Sequence, residues 1–326
     1  MKTKVIYTLI SSDSDRFLYE LWVSLYSLRL YEPDVTVVVL CDDDTKHYVQ
    51  IFPELMDMID ELKAVALPAH YTAKQKSREL KTSFRRYIDG KLLLLDTDTV
   101  VCKQLSDIDK IEYDMAAVPE MHLPVQNMPY PPVATVKDIF GIDLYQECEY
   151  YYNSGVIYVD DNPRTQEFFC KWNENWHYSC FEKGNSQDEP SFLKADIDMS
   201  HIIHPLPDIY NAQVSMSLKW FADAAIIHWW HMSFIEDQSY SPYLGGQIYQ
   251  EIKEAKGITS HADKMIRYCK QSFDSPSMPV GREQMRFLFS PAGKIFVRIY
   301  RDGGIASWLM NRLSKFLAFI QRKTTK

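Results

Sequence analysis

Between Lys91 and Val101 the chain reads KLLLLDTDTVV, an apolar run closed by two aspartates one residue apart. A run this short, bounded by polar residues, is a strand buried on both faces rather than a helix. Successive strand side chains point to opposite faces, so Asp96 and Asp98 share a side if extended geometry persists. Two like charges held close repel, and burial strengthens the repulsion, so a positive group belongs between them. A divalent cation with oxygen ligands meets that demand, with magnesium, manganese or calcium the candidates.

The rest of the chain supplies the frame around that strand. KVIYTLI (Lys4 to Ile10) reads as an opening strand followed by the polar turn SSDSD. From Arg16 to Tyr31, Phe17, Leu18, Leu21, Trp22, Leu25 and Leu28 recur at helical spacing, and EPD ends the helix. VTVVVL (Val35 to Leu40) is a second buried strand, a helix is predicted over Thr45 to Leu62, and LKAVALP is a third strand. Ser77 to Ile88 is predicted helical and leads into the DTD strand. Downstream, YDMAAVPE and NSGVIYVD read as strands, Thr165 to Phe181 as a helix, and QDEPSFLKAD as the opening of another. IIHPLP and AAIIHWWH are short strands or loops. Strands alternating with helices predict an α/β domain whose mostly parallel sheet binds ligands outside the carboxyl ends of its strands.

Composition narrows the function class. With 326 residues, 46% of them hydrophobic, the chain can bury a substantial core. The formal charge of −8 is uneven: residues 282–326 hold ten Lys/Arg against two acids, leaving 26 basic and 42 acidic residues elsewhere. An acidic body argues against nucleic acid as the partner of the main domain. The six cysteines show no Cys-x-x-Cys pair and no zinc spacing, and no uncharged run reaches membrane-spanning length. Free thiols and a cytoplasmic location are the expectation. A shift to Pro, Ser and Gly at Asp274 to Gly281 marks a boundary. The expected organisation is a catalytic domain over 1–240, a helical extension and linker over 241–281, and a basic tail over 282–326.

An Asp-x-Asp at a strand end serves two chemistries. In nucleotide-sugar glycosyltransferases it holds a metal against the donor's diphosphate. In aspartate-nucleophile (HAD-type) phosphohydrolases, DTDTV would supply a nucleophile and an acid/base, with Lys137 and the pair Asp160 and Asp161 completing the set. That class favours the motif on the first strand of the catalytic unit, whereas about three strands precede it here. A non-catalytic sugar-nucleotide binding module is the third reading.

Several patches, in order, resemble the GT-A fold, the Rossmann-like fold of nucleotide-diphospho-sugar transferases, and in particular the glycogenin-like family 8 glycosyltransferases. TLISSDSD is similar to the strand and turn that hold the nucleotide base and ribose, and LKTSFRRY to the helix whose basic residue approaches the diphosphate. LLLLDTDTVV is similar to the metal motif, YNSGVIYV to the Asn-Ser/Ala-Gly-Val strand, and IIHWWH to the strand ending in a metal-binding histidine. The resemblance covers about the first 235 residues and implies a retaining hexosyltransferase that uses a UDP-sugar and Mn2+ or Mg2+. It places Leu9, Ser11 and Ser12 against uridine and Lys81 against the diphosphate or sugar. Asp96 would bridge donor and metal, with Asp98 and His228 as ligands, and Asn153 and Asp188 would line the donor sugar at the reacting carbon. The chain departs from the family in two places. After His228 it reads HWWHMSFIED, with His231 where a glycine is usual and no Lys-Pro-Trp, so His231 is an alternative ligand. Asp15 stands where the first turn usually has a tyrosine.

The expected acceptor is a glycan or lipid-linked sugar of surface polysaccharide or glycolipid synthesis. The proline-rich stretch Glu120 to Val136 is the candidate acceptor loop. In the tail, Leu309, Leu313, Phe316, Leu317 and Ile320 fall on one helical face beginning near Trp308, with Arg312, Lys315, Arg322 and Lys323 elsewhere around it. That is the pattern of an interfacial helix, and it predicts peripheral membrane contact through 305–323.

Overall fold

The computed structural model describes residues 1–13, 15–214, 216–229, 247–270, 282–302 and 304–313. His231 and, in the tail, Lys315, Phe316, Leu317, Ile320, Arg322 and Lys323 lie outside the described residues. In chain order the first half comprises β1 (Lys4–Leu9), α1 (Phe17–Tyr31), β2 (Val37–Cys41), α2 (Asp43–Val49), α3 (Pro53–Met56), β3 (Glu61–Ala64), α4 (Ala73–Ser83), β4 (Leu92–Leu95), β5 (Thr99–Val101) and β6 (Met115–Pro119). There follow α5 (Val133–Phe140), α6 (Leu144–Glu147), β7 (Tyr152–Val159), α7 (Pro163–His177), α8 (Glu189–Asp198), β8 (Ile203–Pro205), β9 (Ala212–Gln213), β10 (Ile226–His228), α9 (Gln247–Ala255) and α10 (Ser260–Arg267).

Seven strands form one sheet in the order β3-β2-β1-β4-β7-β6-β8. β3, β2, β1 and β4 are parallel, and β6 is parallel to β8. Only β7 runs against its neighbours, so the sheet is mostly parallel, as its unbroken apolar strands imply. Period-two alternation sends Val5, Tyr7, Leu9, Val37, Val39, Leu93 and Leu95 to the face covered by α1. Ile6, Val38, Leu40, Leu92 and Leu94 face Leu80 and Phe84 of the α4 region, Phe168, Phe169 and Trp172 of α7, and Phe192 of α8. A second sheet, β5-β10-β9, joins the α1 side, where α9 and α10 also pack on α1. α1 is therefore sandwiched, and ten of its fifteen residues are buried.

The helix expected over Thr45 to Leu62 is instead two short ones. Pro53 lacks the N–H that would continue the first, and the residue before a proline is driven out of the helical region: Phe52 is extended, at φ −111° and ψ 95°. Glu61 and Leu62 belong to β3, paired with Val38 and Val39. α4 starts earlier than expected because Thr72 and Gln75 form a reciprocal capping box. The stretch Glu120 to Val136 holds two 3-10 turns before α5 begins at Val133.

Met1–Ser277 form one compact unit and Met278–Lys326 another. The second contains α11 (Arg282–Phe289), α12 (Pro291–Asp302) and a further helical stretch at 304–313. Ile305, Trp308, Leu309 and Leu313 are exposed there. Among the described residues no helix is long and apolar enough to cross a membrane. The six cysteines are free.

Candidate active site

The DTD motif does not continue strand β4. It forms the turn that carries the chain from β4 in the large sheet to β5 in the small one. Backbone hydrogen bonds tie the turn down at both aspartates. Asp96 N–H donates to Gly155 O (2.8 Å), Thr99 Oγ1 to Asp96 O (2.8 Å), and Trp229 N–H to Asp98 O (3.0 Å). β10 pairs with β5 so that His228 stands opposite Thr99. This register brings His228 Nε2 to 3.2 Å from Asp98 Oδ1. One potential ligand atom from each of Asp96, Asp98 and His228 falls within a 4.8 Å cluster.

Two carboxylates and one imidazole are a donor set that suits a divalent cation such as manganese or magnesium. The outer ring of partners fits as well. His228 Nδ1 lies 3.0 Å from Asn211 Oδ1, and Asn211 Nδ2 donates to Asn153 Oδ1 (2.8 Å). With its amide so oriented, Asn211 accepts a hydrogen bond from Nδ1–H and leaves the Nε2 lone pair turned to the aspartates, the arrangement a metal ligand requires. Burial opposes charge on His228, but Asp98 and Asp96 outweigh it and raise its pKa. The cleft favours positive charge.

A second cluster adjoins the first. Lys81 on α4 is buried, and its Nζ lies 2.8 Å from Asp96 Oδ2 and 3.1 Å from Asp188 Oδ2. Arg78, one turn earlier, pairs with Asp188 Oδ1 at 2.8 Å, and Ser154 Oγ donates to Asp188 Oδ2 (2.8 Å). Burial would raise the Asp188 pKa, but Arg78 and Lys81 hold it well below the usual carboxylate range. At the next position, half-buried Glu189 has its pKa pushed up to about 7, first by burial and then by the Asp188 charge. Asp188 is the N-cap residue of α8, whose positive end adds to its ionisation.

The first turn lies at the carboxyl end of β1. Leu9 is buried and paired with Cys41. Ser11 Oγ donates to Asp15 Oδ1 (2.7 Å) and accepts from Leu18 N–H (3.1 Å), while Ser12 N–H donates to Asp15 Oδ2 (2.9 Å). Phe17 N–H donates to Asp15 Oδ1 (3.0 Å). Asp15 thus organises the turn and takes up the N–H of Phe17 at the start of α1, which accounts for an aspartate at that position.

The residues a phosphohydrolase would need are not brought together. β7 is antiparallel to β4, with Val159 opposite Leu92, so Asp160 and Asp161 sit at the far end of the sheet from Asp96. Asp160 pairs there with Lys91 and Asp161 with Arg85. Five extended residues, about 16 Å, separate Lys91 from Asp96. Lys137 lies on α5 and lines a surface cavity of about 530 Å³ with Tyr178, Lys183 and Lys194.

Three participants escaped the sequence reading. Arg78 shares a helix face with Lys81, a spacing that could have marked it. Asn211 and Glu20 carry no local signal, and Glu120, named only as the start of the candidate acceptor loop, accepts from Asn153 Nδ2 at 2.7 Å.

No family model matches the sequence, and no curated protein matches it. Solved structures do. The galactosyltransferase LgtC, crystallised with donor and acceptor sugar analogs, is 12% identical over 80% of this chain and 99% of its own, with a TM-score of 0.52. The chain has the GT-A fold. GlyE, a glycosyltransferase of Streptococcus pneumoniae TIGR4, is 16% identical over 86% of this chain, with a TM-score of 0.47; the match spans 67% of the GlyE chain. Mouse xyloside xylosyltransferase 1 is 12% identical over 70% of this chain and 97% of its own, with a TM-score of 0.47. At these identities the likeness is one of fold.

Proposed function

We propose that this chain is a metal-dependent glycosyltransferase that moves a hexose from a UDP-sugar to a glycan or lipid-linked acceptor, in surface polysaccharide or glycolipid synthesis. The observation that carries the reading is the convergence of Asp96, Asp98 and His228 beside the Lys81–Asp188 pair, in the crevice where an α/β sheet binds its ligands. In this reading Asp96, Asp98 and His228 hold Mn2+ or Mg2+, and the bound cation supplies charge against the departing diphosphate. Lys81 adds a buried ammonium on the same side. Leu9, Ser11 and Ser12 hold the nucleoside. Asp188 and Asn153 line the donor sugar, and Asn153 also steadies His228 through Asn211. Transfer proceeds with retention, and the stretch Glu120 to Val136 contributes to the acceptor site.

The test is turnover. UDP-hexoses incubated with Mn2+ should release UDP slowly and faster once an acceptor glycan is added. Mg2+-dependent phosphate release from a phosphomonoester would instead establish the hydrolase, and nucleotide binding with neither product the binding module.

The location that fits is the cytoplasmic membrane surface, reached through 305–323. Exposed Trp308, Leu309 and Leu313, with Arg312 over the Trp308 ring, support this. Co-sedimentation with anionic vesicles should be lost in a chain ending at Gly281, and equal behaviour of the two forms would refute it.

A further inference from the structure

We propose that Glu20 is a positioning residue for the metal-binding turn, acting through Thr97; the proposal rests on the metal reading of that turn. α1 is apolar along its sheet-facing side except for Glu20, Ser24 and Ser27, whose spacing of four and then three residues puts them in one row. Each bonds a residue of the segment that follows β4. Glu20 Oε2 accepts from Thr97 Oγ1 at 3.2 Å, Ser24 Oγ lies 2.9 Å from Thr99 Oγ1, and Ser27 Oγ accepts from Val101 N–H at 2.9 Å. Through these bonds the Thr97 and Thr99 hydroxyls and the Val101 N–H meet α1, while the Asp96 and Asp98 carboxylates turn to Lys81 and His228. The row on α1 is the back wall of the metal turn.

Glu20 is the one member of the row that is costly. It is 1% exposed, and a carboxylate so placed needs partners. Arg16 supplies one, with Nε 2.9 Å from Glu20 Oε1, and Thr97 another. Thr97 is the middle residue of the motif, and a shift of its hydroxyl moves both neighbouring aspartates. Ligand groups must be held to within about 0.5 Å to bind a cation well, and that precision comes from the residues behind them. α1 is also bound at its first turn to the Ser11–Asp15 turn, through Leu18 and Phe17 N–H. Glu20 therefore fixes the spacing between the nucleoside turn and the metal turn.

The experiment is calorimetric titration of Mn2+ into the full chain saturated with UDP, with the melting temperature of the ligand-free protein measured alongside. Thr97→Val, which keeps the shape and removes the donor, should weaken Mn2+ binding about tenfold, as loss of an orienting partner does. Thr97→Ser, which keeps the donor, should stay within about twofold of wild type. Glu20→Ala should match Thr97→Val, and the double variant should be no weaker than the weaker single one, because both break one contact. If Glu20→Ala does not fold, the two Thr97 variants decide. Wild-type affinity in Thr97→Val, or losses that multiply in the double variant, would overturn the role of Glu20 while leaving the metal site standing. A wild-type protein that takes up no Mn2+ with UDP would overturn the metal reading, and Glu20's role with it.

Discussion

Gly155 and His228 compete for one volume: a Cβ built on Gly155 would lie 2.9 Å from His228 Nδ1 and closer still to Cε1. Gly155 sits within β7, where a glycine weakens a strand unless another group approaches closely. Here that group is the His228 imidazole of the Asp96–Asp98–His228 cluster, and the Gly155 carbonyl also anchors Asp96 N–H. Gly155→Ala should push the ring off Asn211 and cost about 1–3 kcal/mol of stability, the usual penalty of overpacking. Urea denaturation measures that cost, and Mn2+ titration should show binding weakened far more than the stability loss alone explains.

Asp188 lies between two cations and is almost fully buried. Asp188→Asn leaves Arg78 and Lys81 without their shared counter-charge, and removal of one partner from such a site costs about 3–5 kcal/mol. Because the folded-state pKa is depressed, the stabilisation is present above the ordinary value of 3.8 and is lost as pH falls below it. Denaturation midpoints measured from pH 7 downward should fall less steeply in the variant than in the wild type on the acid limb.

Glu189 carries the opposite sign. Its folded-state pKa of about 7 exceeds the ordinary 4.5, so its contribution to stability is full below about 4.5 and declines as pH rises to about 7. Glu189→Gln, which stays neutral, should gain stability relative to wild type across that window and hold a constant advantage above it. Melting temperatures of both proteins between pH 4.5 and 8 check this, and a difference independent of pH would contradict it.

Much of this site was legible in the residues, and what was not has a physical reason. The unbroken apolar strands pointed to a mostly parallel sheet, and the aspartate pair at a strand end called for positive groups beside it, where Lys81 and His228 stand. The convergence of His228 with Asp98 depended on β10 pairing with β5, a register set by contacts between distant segments. The chain Glu120–Asn153–Asn211–His228 joins residues 33, 58 and 17 positions apart, and no local pattern marks such links. Glu20 was hidden in a helix whose periodicity is set by its apolar neighbours. The helix expected over Thr45 to Leu62 failed at Pro53, a stop signal present in the sequence but outweighed there by the helical spacing around it.

The proposed function requires the crevice to bind a nucleoside diphosphate through a cation held by Asp96, Asp98 and His228. Thermal unfolding of wild type and Asp98→Asn, each with UDP in the presence and absence of Mn2+, tests it directly. Wild type should shift upward with UDP and Mn2+ together, by about 2.7 kcal/mol of stability at a ligand concentration 100 times Kd. It should shift little with UDP alone, and Asp98→Asn should lose the cation-dependent part while still unfolding cooperatively. A shift with UDP that is the same with and without Mn2+ and in both proteins, or no shift under any condition, would contradict the account.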